Sequence, residues 1–540
     1  MKIKLLLFSA LLLNGSLATM AQKKAEEALA PLIASTTQAI VPTEYGKVRG
    51  YIHHGIFTYK GIPYAKSDRF QAAQKPASWE GVRSSMSYGP VCPTDPTTTV
   101  YDEIEFPFQH NWGYTNENCQ SLNVWTPKIN DGKKRPVMVW LHGGGFTAGS
   151  AVELPSYDGE NLAQKGDVVV VTVNHRLNIL GFLDLSAYGD KYKGSANAGL
   201  TDLAMALQWV KQNITQFGGD PNNVTIFGQS GGGGKVTSLM NAPSVKGLFH
   251  KAIVQSGSYI TNFTEPAVTK RISAALLEEL KLQPNQIDSL QKISYERLNA
   301  AGKKAIGKVQ EALKAEGKPN TNLGWGPVLD GNFLPYQPSD PKAIFLSKDI
   351  PLLVGTTKTE FAPFNPANRV PTMEAAKTNL TKQYGAKTDA YLSAVKKAYP
   401  ESSKPSDFVL FDFGFCALAI DQANNKAQQG TAPVYMYLFT WESPVLDGAY
   451  SSMHCMELPF VFDNINRCEE MTGGGREAHV LADKMSTAWI NFAKTGNPNH
   501  KGLPTWPKYS KGNGATMLFD NTCAVKNNHD KELIQLVTAK

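Results

Sequence analysis

The stretch Val224–Gly232 reads VTIFGQSGG, a short apolar run followed by a serine between glycines. VTIF has the length and composition of a buried strand, and the residues after it suit a helix. A serine at a sharp strand-to-helix turn is typical of a nucleophile elbow, where larger neighbours would collide with the strand and helix. In a chain with 46 glycines, G-x-S-x-G could equally mark only a loop. Ser230 is therefore a candidate nucleophile that needs support from the rest of the chain.

Apolar runs on the N-terminal side of this turn predict a sheet that is covered on both faces. VMVWL at 137–141 and VVVVTV at 168–173 are near-continuous apolar segments of strand length. Residues 198–217 carry apolar side chains at helical spacing and lead into VTIF. This strand–helix–strand rhythm predicts an α/β fold with a large central, mostly parallel sheet flanked by helices.

The N-terminal sequence resembles a secretory signal peptide. Lys2 and Lys4 precede an apolar run too short to span a bilayer, and small residues end it at Ala18 or Ala21. We expect residues 1–21 to be removed and the mature protein to be secreted or periplasmic. No linker divides residues 22–540, so we expect one domain, with a helical, charged excursion at about 262–325.

Composition excludes several classes of function. The formal net charge of +7 is spread along the 540 residues without a basic run, so we expect no nucleic-acid partner. No run after the N-terminus approaches the roughly 20 apolar residues of a membrane span. The six cysteines form no CxxC and the histidines no HExxH, so we expect neither a metal nor an organic cofactor.

A serine nucleophile needs donors for the developing oxyanion, and these follow the strand VMVWL. His142–Phe146 reads HGGGF, and consecutive glycines let backbone N–H groups approach a ligand closely. We expect the N–H groups of Gly144, Gly145 and Gly231 to form an oxyanion hole. The alternative is an ordinary glycine-rich turn.

Together these motifs resemble the carboxylesterase type B family, which includes the cholinesterases, in its bacterial para-nitrobenzyl-esterase-like branch. The resemblance runs from about residue 44 to about 522. Its further marks are GIPYA at 61–65, ENCQSLNVWTP at 117–127, Asn174–Arg176, FGGDP at 217–221 and QSGS at 255–258. It implies an α/β-hydrolase fold in which helical insertions form the active-site gorge, and a triad in the chain order Ser, acid, His.

The resemblance also implies the remaining site residues. Glu360, after the run IPLLVGTT, stands at the family's acid position, and His454 in MHCMELPFVF stands at that of the base. Cys92 and Cys119 match a family disulfide. Pairing of Cys455 with Cys468 or of Cys416 with Cys523 remains open.

The implied activity is exported serine carboxylesterase chemistry on a small-molecule ester through an acyl-enzyme. Gln229, where much of the family has Glu, and Gln109, near the family's choline-stacking tryptophan position, argue against choline esters. The alternatives are a catalytically inactive adhesion or binding member, and the same fold acting as a lipase or as an amidase or carbamate hydrolase. The natural ester and the oligomeric state cannot be derived from these residues.

Overall fold

The structure is a computed structural model that describes residues 31–95, 102–259, 262–318 and 323–538. The expected signal peptide, residues 1–21, therefore lies outside the described residues. Among the described residues, no helix combines the length and apolar composition needed to cross a bilayer.

The strands are numbered in chain order. They are β1 Ile40–Thr43, β2 Gly46–Arg49, β3 Tyr51–His53, β4 Ile56–Pro63, β5 Val82–Ser84, β6 Ser121–Thr126, β7 Arg135–Leu141, β8 Val169–Val173, β9 Gly219–Gln229, β10 Lys251–Gln255, β11 Leu352–Thr357, β12 Val434–Phe439, β13 Ala515–Phe519 and β14 Ala524–Asn527. β1, β2 and β5 form a small separate sheet.

The helices are numbered in the same way over the described residues. They are α1 Asp102–Phe108, α2 Glu160–Gly166, α3 Asn178–Phe182, α4 Ala198–Asn213, α5 Gly231–Met240, α6 Pro266–Leu280, α7 Tyr295–Ala315, α8 Pro341–Leu346, α9 Met373–Tyr384, α10 Thr388–Ala398, α11 Ser406–Val409, α12 Phe413–Gln429, α13 Leu458–Val461, α14 Glu469–Thr472, α15 Arg476–Thr495 and α16 Lys531–Thr538.

Within the described part of the chain, eleven strands form the central sheet, in the order β14-β13-β12-β11-β10-β9-β7-β8-β6-β4-β3. The pairings from β8 through β13 are all parallel, whereas β14 on one side and β6, β4 and β3 on the other pair antiparallel. The predicted α/β-hydrolase fold with a large, mostly parallel sheet is confirmed.

The alternation of side chains along β7 shows how the two faces are covered. Val137, Val139 and Leu141 join a core that contains α4 and α5, whereas Met138 and Trp140 join a core that contains α2 and α15. Because successive side chains point to opposite faces of a strand, a continuous apolar run requires helices on both faces. The runs VMVWL and VVVVTV are covered on both faces in this way.

Two helical segments lie outside these layers. α6 and α7 occupy the expected excursion and share a core with α3. A second helical segment, between β11 and β12, contains α9 to α12 and shares a core with α16. No pattern in the sequence predicts this segment.

The parallel strands bring the expected site residues to one edge of the sheet. The HGGGF loop follows β7, Ser230 follows β9, and Glu360 follows β11. The carboxyl ends of parallel strands meet at one edge, which is where ligands bind in open α/β sheets.

Candidate active site

Ser230 occupies a strained turn between β9 and α5. Its φ of 56° and ψ of −126° are unusual for a residue with a side chain. Its N–H donates to the Gln255 carbonyl on β10 at 2.8 Å. A Cβ on Gly232 would lie 2.0 Å from the Leu141 carbonyl oxygen, so a side chain there has no room. These contacts give the predicted steric reason for the glycines around Ser230.

The HGGGF loop packs directly on this turn. Gly144 and Gly145 have φ values of 81° and 62°, a conformation that glycine adopts readily. A Cβ on Gly231 would lie 2.4 Å from the Gly145 nitrogen, so the backbones of Gly145 and Gly231 are in close contact. The three expected oxyanion donors, Gly144, Gly145 and Gly231, thus belong to adjoining segments.

A buried lysine supports the base of this loop. Lys235 on α5 donates from Nζ to the His142 carbonyl at 2.9 Å. Burial lowers the pKa of Lys235 to about 7. The lysine therefore ties the start of the HGGGF loop to the helix that follows Ser230.

Glu360 and His454 form a buried pair. His454 Nδ1 hydrogen-bonds to Oε2 of Glu360, and the Glu360 side chain is fully buried. Glu360 Oε1 accepts hydrogen bonds from the Ser256 hydroxyl at 2.6 Å and from the Thr357 N–H at 2.9 Å. Because a carboxylate can only accept, the His454 proton is assigned to Nδ1, which leaves Nε2 as an acceptor.

The backbone joins the same two segments. The His454 N–H donates to the Glu360 carbonyl at 2.9 Å, and Glu360 and Met453 form an isolated parallel bridge. The acid and the imidazole are therefore positioned by main-chain contacts as well as by their side chains.

The other ring nitrogen of His454, Nε2, contacts Gln229, the residue before Ser230. The Gln229 amide nitrogen lies 3.1 Å from His454 Nε2, and the Cys455 thiol donates to Gln229 Oε1 at 3.2 Å. Two aromatic rings flank the imidazole, Phe361 at 4.1 Å and Phe415 at 5.6 Å between ring centroids. Phe361 is 46% exposed, so one edge of the site has an accessible apolar surface.

A second buried carboxyl lies behind this pair. Glu457 Oε1 accepts from the Gln255 amide at 3.1 Å, and Gln255 Oε1 accepts from Trp489 at 3.1 Å. Burial, together with the nearby negative charge of Glu360, raises the pKa of Glu457 to about 7. Glu457 therefore ionises less readily than an exposed glutamate.

The disulfide expected from the resemblance is absent from the structure. Cys92 and Cys119 are both buried free thiols, and so are the other three buried cysteines; Cys455 is partly buried and also free. Burial raises the pKa of the Cys119 thiol, and a hydrogen bond with Cys92 adds to the effect. The two thiols are thus hydrogen-bonded neighbours without a disulfide between them.

Away from this site, the structure gathers a cluster that sequence reasoning missed. His53 and His54 each place Nδ1 2.7 Å from a different oxygen of Glu160. Their possible metal-binding atoms lie within 4.8 Å of one another, but the Arg467 guanidinium is only 3.6 Å from Glu160. We call His53, His54 and Glu160 the surface cluster. Its members are adjacent histidines and a glutamate far along the chain, without a recognisable spacing.

Sequence reasoning also missed residues within the site. QSGS contains Ser256 and the His454 block contains Glu457, but neither motif assigns a role to these residues. For Glu457, the available signal was a carboxyl three residues after the predicted base. Gln229 was weighed only for its missing charge, although its side chain reaches His454.

The comparisons with known proteins agree with this geometry. A family model described as "Carboxylesterase family" matches residues 37–537. The para-nitrobenzyl esterase of Bacillus subtilis is 38% identical over 92% of this chain and 98% of its own length. The phenmedipham hydrolase of Pseudarthrobacter oxydans is 32% identical over 89% of this chain and 95% of its own length.

Solved structures show the same likeness. A structure of an esterase from anaerobic Clostridium hathewayi matches with a TM-score of 0.84 and 38% identity, covering 93% of this chain and 98% of that one. The Geobacillus stearothermophilus carboxylesterase EST55 at pH 6.2 matches with a TM-score of 0.73 and 33% identity, covering 93% and 100%. The chain belongs to the carboxylesterase family and is a carboxylic ester hydrolase.

Proposed function

We propose that this protein hydrolyses small carboxylic esters with Ser230 as nucleophile, His454 as general base and Glu360 as the acid that orients the imidazole. The observation that carries the proposal is the placement of His454 between the buried Glu360 carboxylate on one side and the Ser230 elbow on the other. This is the arrangement that a serine nucleophile requires for activation.

The first half-reaction forms the acyl-enzyme. Ser230 Oγ attacks the ester carbonyl carbon while its proton passes to His454 Nε2. The N–H groups of Gly144, Gly145 and Gly231 stabilise the resulting oxyanion, each such donor being worth about 3 kcal/mol. The tetrahedral intermediate then collapses, the ester C–O bond breaks, and His454 returns the proton to the departing alcohol.

The second half-reaction repeats these steps with water. His454 Nε2 takes a proton from water as its oxygen attacks the acyl carbon, and the same glycines hold the oxyanion. Collapse breaks the bond to Ser230 Oγ, which recovers its proton from His454, and the carboxylic acid leaves. Glu360 stays ionised throughout and stabilises the imidazolium.

We propose uncharged esters with an aromatic portion as the substrate class. The support is the exposed Phe361 beside His454, the neutral Gln229 next to the nucleophile, and two relatives. One relative is named for para-nitrobenzyl esters, and the Clostridium esterase is described as hydrolysing aliphatic aromatic polyesters. Higher kcat/KM for para-nitrobenzyl acetate than for a choline ester of the same acid tests this choice; the reverse order would reject it.

The triad is tested with Ser230→Ala. We expect the parent to be labelled by a fluorophosphonate probe, and the variant to lose the label and about 10⁶-fold in kcat on p-nitrophenyl acetate. Folding of the variant is checked by circular dichroism. Full turnover by Ser230→Ala would overturn the triad, and a parent that neither reacts with the probe nor hydrolyses any ester would indicate a binding protein.

We also propose export with removal of residues 1–21, supported by the signal-like N-terminal sequence, and oxidation of Cys92 and Cys119 to a disulfide after export. Mass spectrometry of protein from the periplasm or medium tests both. Retention of Met1 would reject the first proposal. Alkylation of both thiols in unfolded, unreduced protein would reject the second.

A further inference from the structure

The His454 Nε2 atom is occupied by an amide rather than by the serine hydroxyl. Gln229 places its side-chain nitrogen 3.1 Å from Nε2, and Gln229 is fully buried. No hydrogen bond joins Ser230 Oγ to His454 in the described part of the chain. In the proposed reaction this same nitrogen must accept the Ser230 proton. Gln229 therefore competes with the nucleophile for the lone pair of the base.

Cys455 determines which way the Gln229 amide points. Its thiol lies 3.2 Å from Gln229 Oε1 and can donate to an oxygen, but would find no acceptor in an NH₂ group. The thiol remains protonated because burial raises the pKa of Cys455. With the amide oxygen accepting from the Cys455 thiol, the NH₂ group faces His454.

This orientation suits only the neutral imidazole. The Gln229 NH₂ group donates, so Nε2 must present its lone pair while the Nδ1 proton goes to Glu360. A protonated ring would set two donors against each other. The contact thus opposes protonation of the base.

The remaining groups around the ring supply little opposing charge. Asp412 and Glu457 are carboxyls that interact electrostatically with His454, and burial raises the pKa of each. Phe361 and Phe415 cover the ring with apolar surface. Glu360 is the carboxyl in contact with His454, and it binds the opposite nitrogen from Gln229.

We propose that Gln229, oriented by Cys455, is a positioning residue that keeps His454 neutral and its lone pair occupied until substrate allows Ser230 to take that place. The proposal rests on the proposed roles of Ser230 and His454. This role explains why position 229 carries a neutral side chain, because a carboxylate there would stabilise a protonated imidazole. The Gln229 contact thereby extends the pH range of activity toward acid pH.

The test compares kcat/KM from pH 5 to 9 for the parent and Gln229→Glu. The new carboxylate has the shape of the amide but favours the imidazolium, so more alkaline conditions are needed to free the base. We expect the acid limb of the profile to move upward, with activity at pH 6 about tenfold lower relative to the activity at pH 9. Active-site titration corrects each variant for its folded fraction.

The second part of the test measures the same pH profile in variants of Cys455. We expect Cys455→Ala, which frees the amide to turn its oxygen toward Nε2, to move the acid limb the same way by about threefold at pH 6. Cys455→Ser keeps a donor and should restore the parental profile. Cys468→Ala, a buried cysteine in the same segment, is the matched control and should leave the profile unchanged.

The outcomes separate this inference from the proposed function. Active Gln229→Glu and Cys455→Ala enzymes whose profiles superimpose on the parent would overturn the positioning role and leave the triad intact. Loss of the fluorophosphonate reaction in the parent itself would instead overturn the triad. A shift in Cys468→Ala equal to that in Cys455→Ala would assign the effect to packing and reject the proposal.

Discussion

The protein contains two places where histidine meets glutamate, and they differ in almost everything except that contact. At the active site, one imidazole binds a fully buried Glu360, and its own side chain is 6% exposed. In the surface cluster, two imidazoles share Glu160, and their side chains are 31% and 38% exposed. A histidine–glutamate contact alone is therefore no sign of catalysis. Both glutamates are buried, so the buried imidazole and the strained serine nearby are what distinguish the active site.

We expect the largest difference between the two places when the charge of Glu360 is removed. Glu360→Gln keeps the shape but can no longer stabilise an imidazolium, so we expect kcat to fall about 10⁴-fold, as when the acid of a Ser-His-Asp triad becomes its amide. Glu160→Gln is the matched control and should leave kcat within about twofold. Both are measured on p-nitrophenyl acetate with active-site titration, and equal losses in the two variants would contradict the distinction.

Glu457 provides a test of how burial changes the titration of a carboxyl group. Its pKa is raised from 4.5 to about 7, so the unfolded state holds fewer protons between these values and the contribution of Glu457 to stability falls as pH rises through them. Glu457→Gln, which can still accept from Gln255, should be more stable than the parent by about 3 kcal/mol at pH 8 and nearly equal to it at pH 4.

Urea unfolding at the two pH values measures this difference. Glu160→Gln again serves as the comparison, because the parent Glu160 carboxylate is also buried but has cationic and histidine partners. A Glu457→Gln stability gain that does not change with pH would contradict a titrating carboxyl.

A smaller effect is expected at Ser256, whose hydroxyl donates a hydrogen bond to Glu360 Oε1 at 2.6 Å. Removing one hydrogen bond to a charged group costs about 1.5 kcal/mol. Ser256→Ala should therefore reduce kcat by about tenfold with little change in KM, as steady-state kinetics will show. An unchanged kcat in Ser256→Ala would remove Ser256 from the supporting contacts.

The smallest effect is expected at the surface cluster. Partly exposed ion pairs contribute less than about 1 kcal/mol, so His53→Ala and His54→Ala should change the free energy of unfolding by no more than that. The measurement is urea unfolding at pH 6, with kcat as a second readout. A loss of several kcal/mol, or of activity, would show that this cluster supports the fold or the site in a way its exposure does not suggest.

The sheet, the turn at Ser230 and the HGGGF loop were predictable because each depends on a local pattern. VMVWL, VVVVTV and VTIF can bury both faces of a strand only in a covered parallel sheet, and the elbow and the HGGGF loop each lie within a few residues. Glu360 and His454 needed the family resemblance to be found. Their placement after β11 and β12 at one edge of the sheet agrees with that reading.

The contacts that tune the site were beyond such reasoning. Gln229 meets His454 across 225 residues of chain, and the meeting depends on which way an amide points, which the Cys455 thiol decides. The second helical segment, α9 to α12, has ordinary amphipathic sequence and gave no sign of packing on α16. Side-chain orientation and long-range packing depend on the complete fold, and no spacing of residues in the sequence indicates them.

The main-chain bond from His454 to the Glu360 carbonyl has a consequence for how this chemistry can be altered. This main-chain hydrogen bond holds together the segments that carry Glu360 and His454, which are 94 residues apart in sequence. Either side chain can therefore be exchanged while the backbone of the other stays in place. A shorter acid such as Glu360→Asp cannot follow its partner and must leave a gap. Evolution or engineering of this pair therefore has to conserve the reach of the acidic side chain as well as its negative charge.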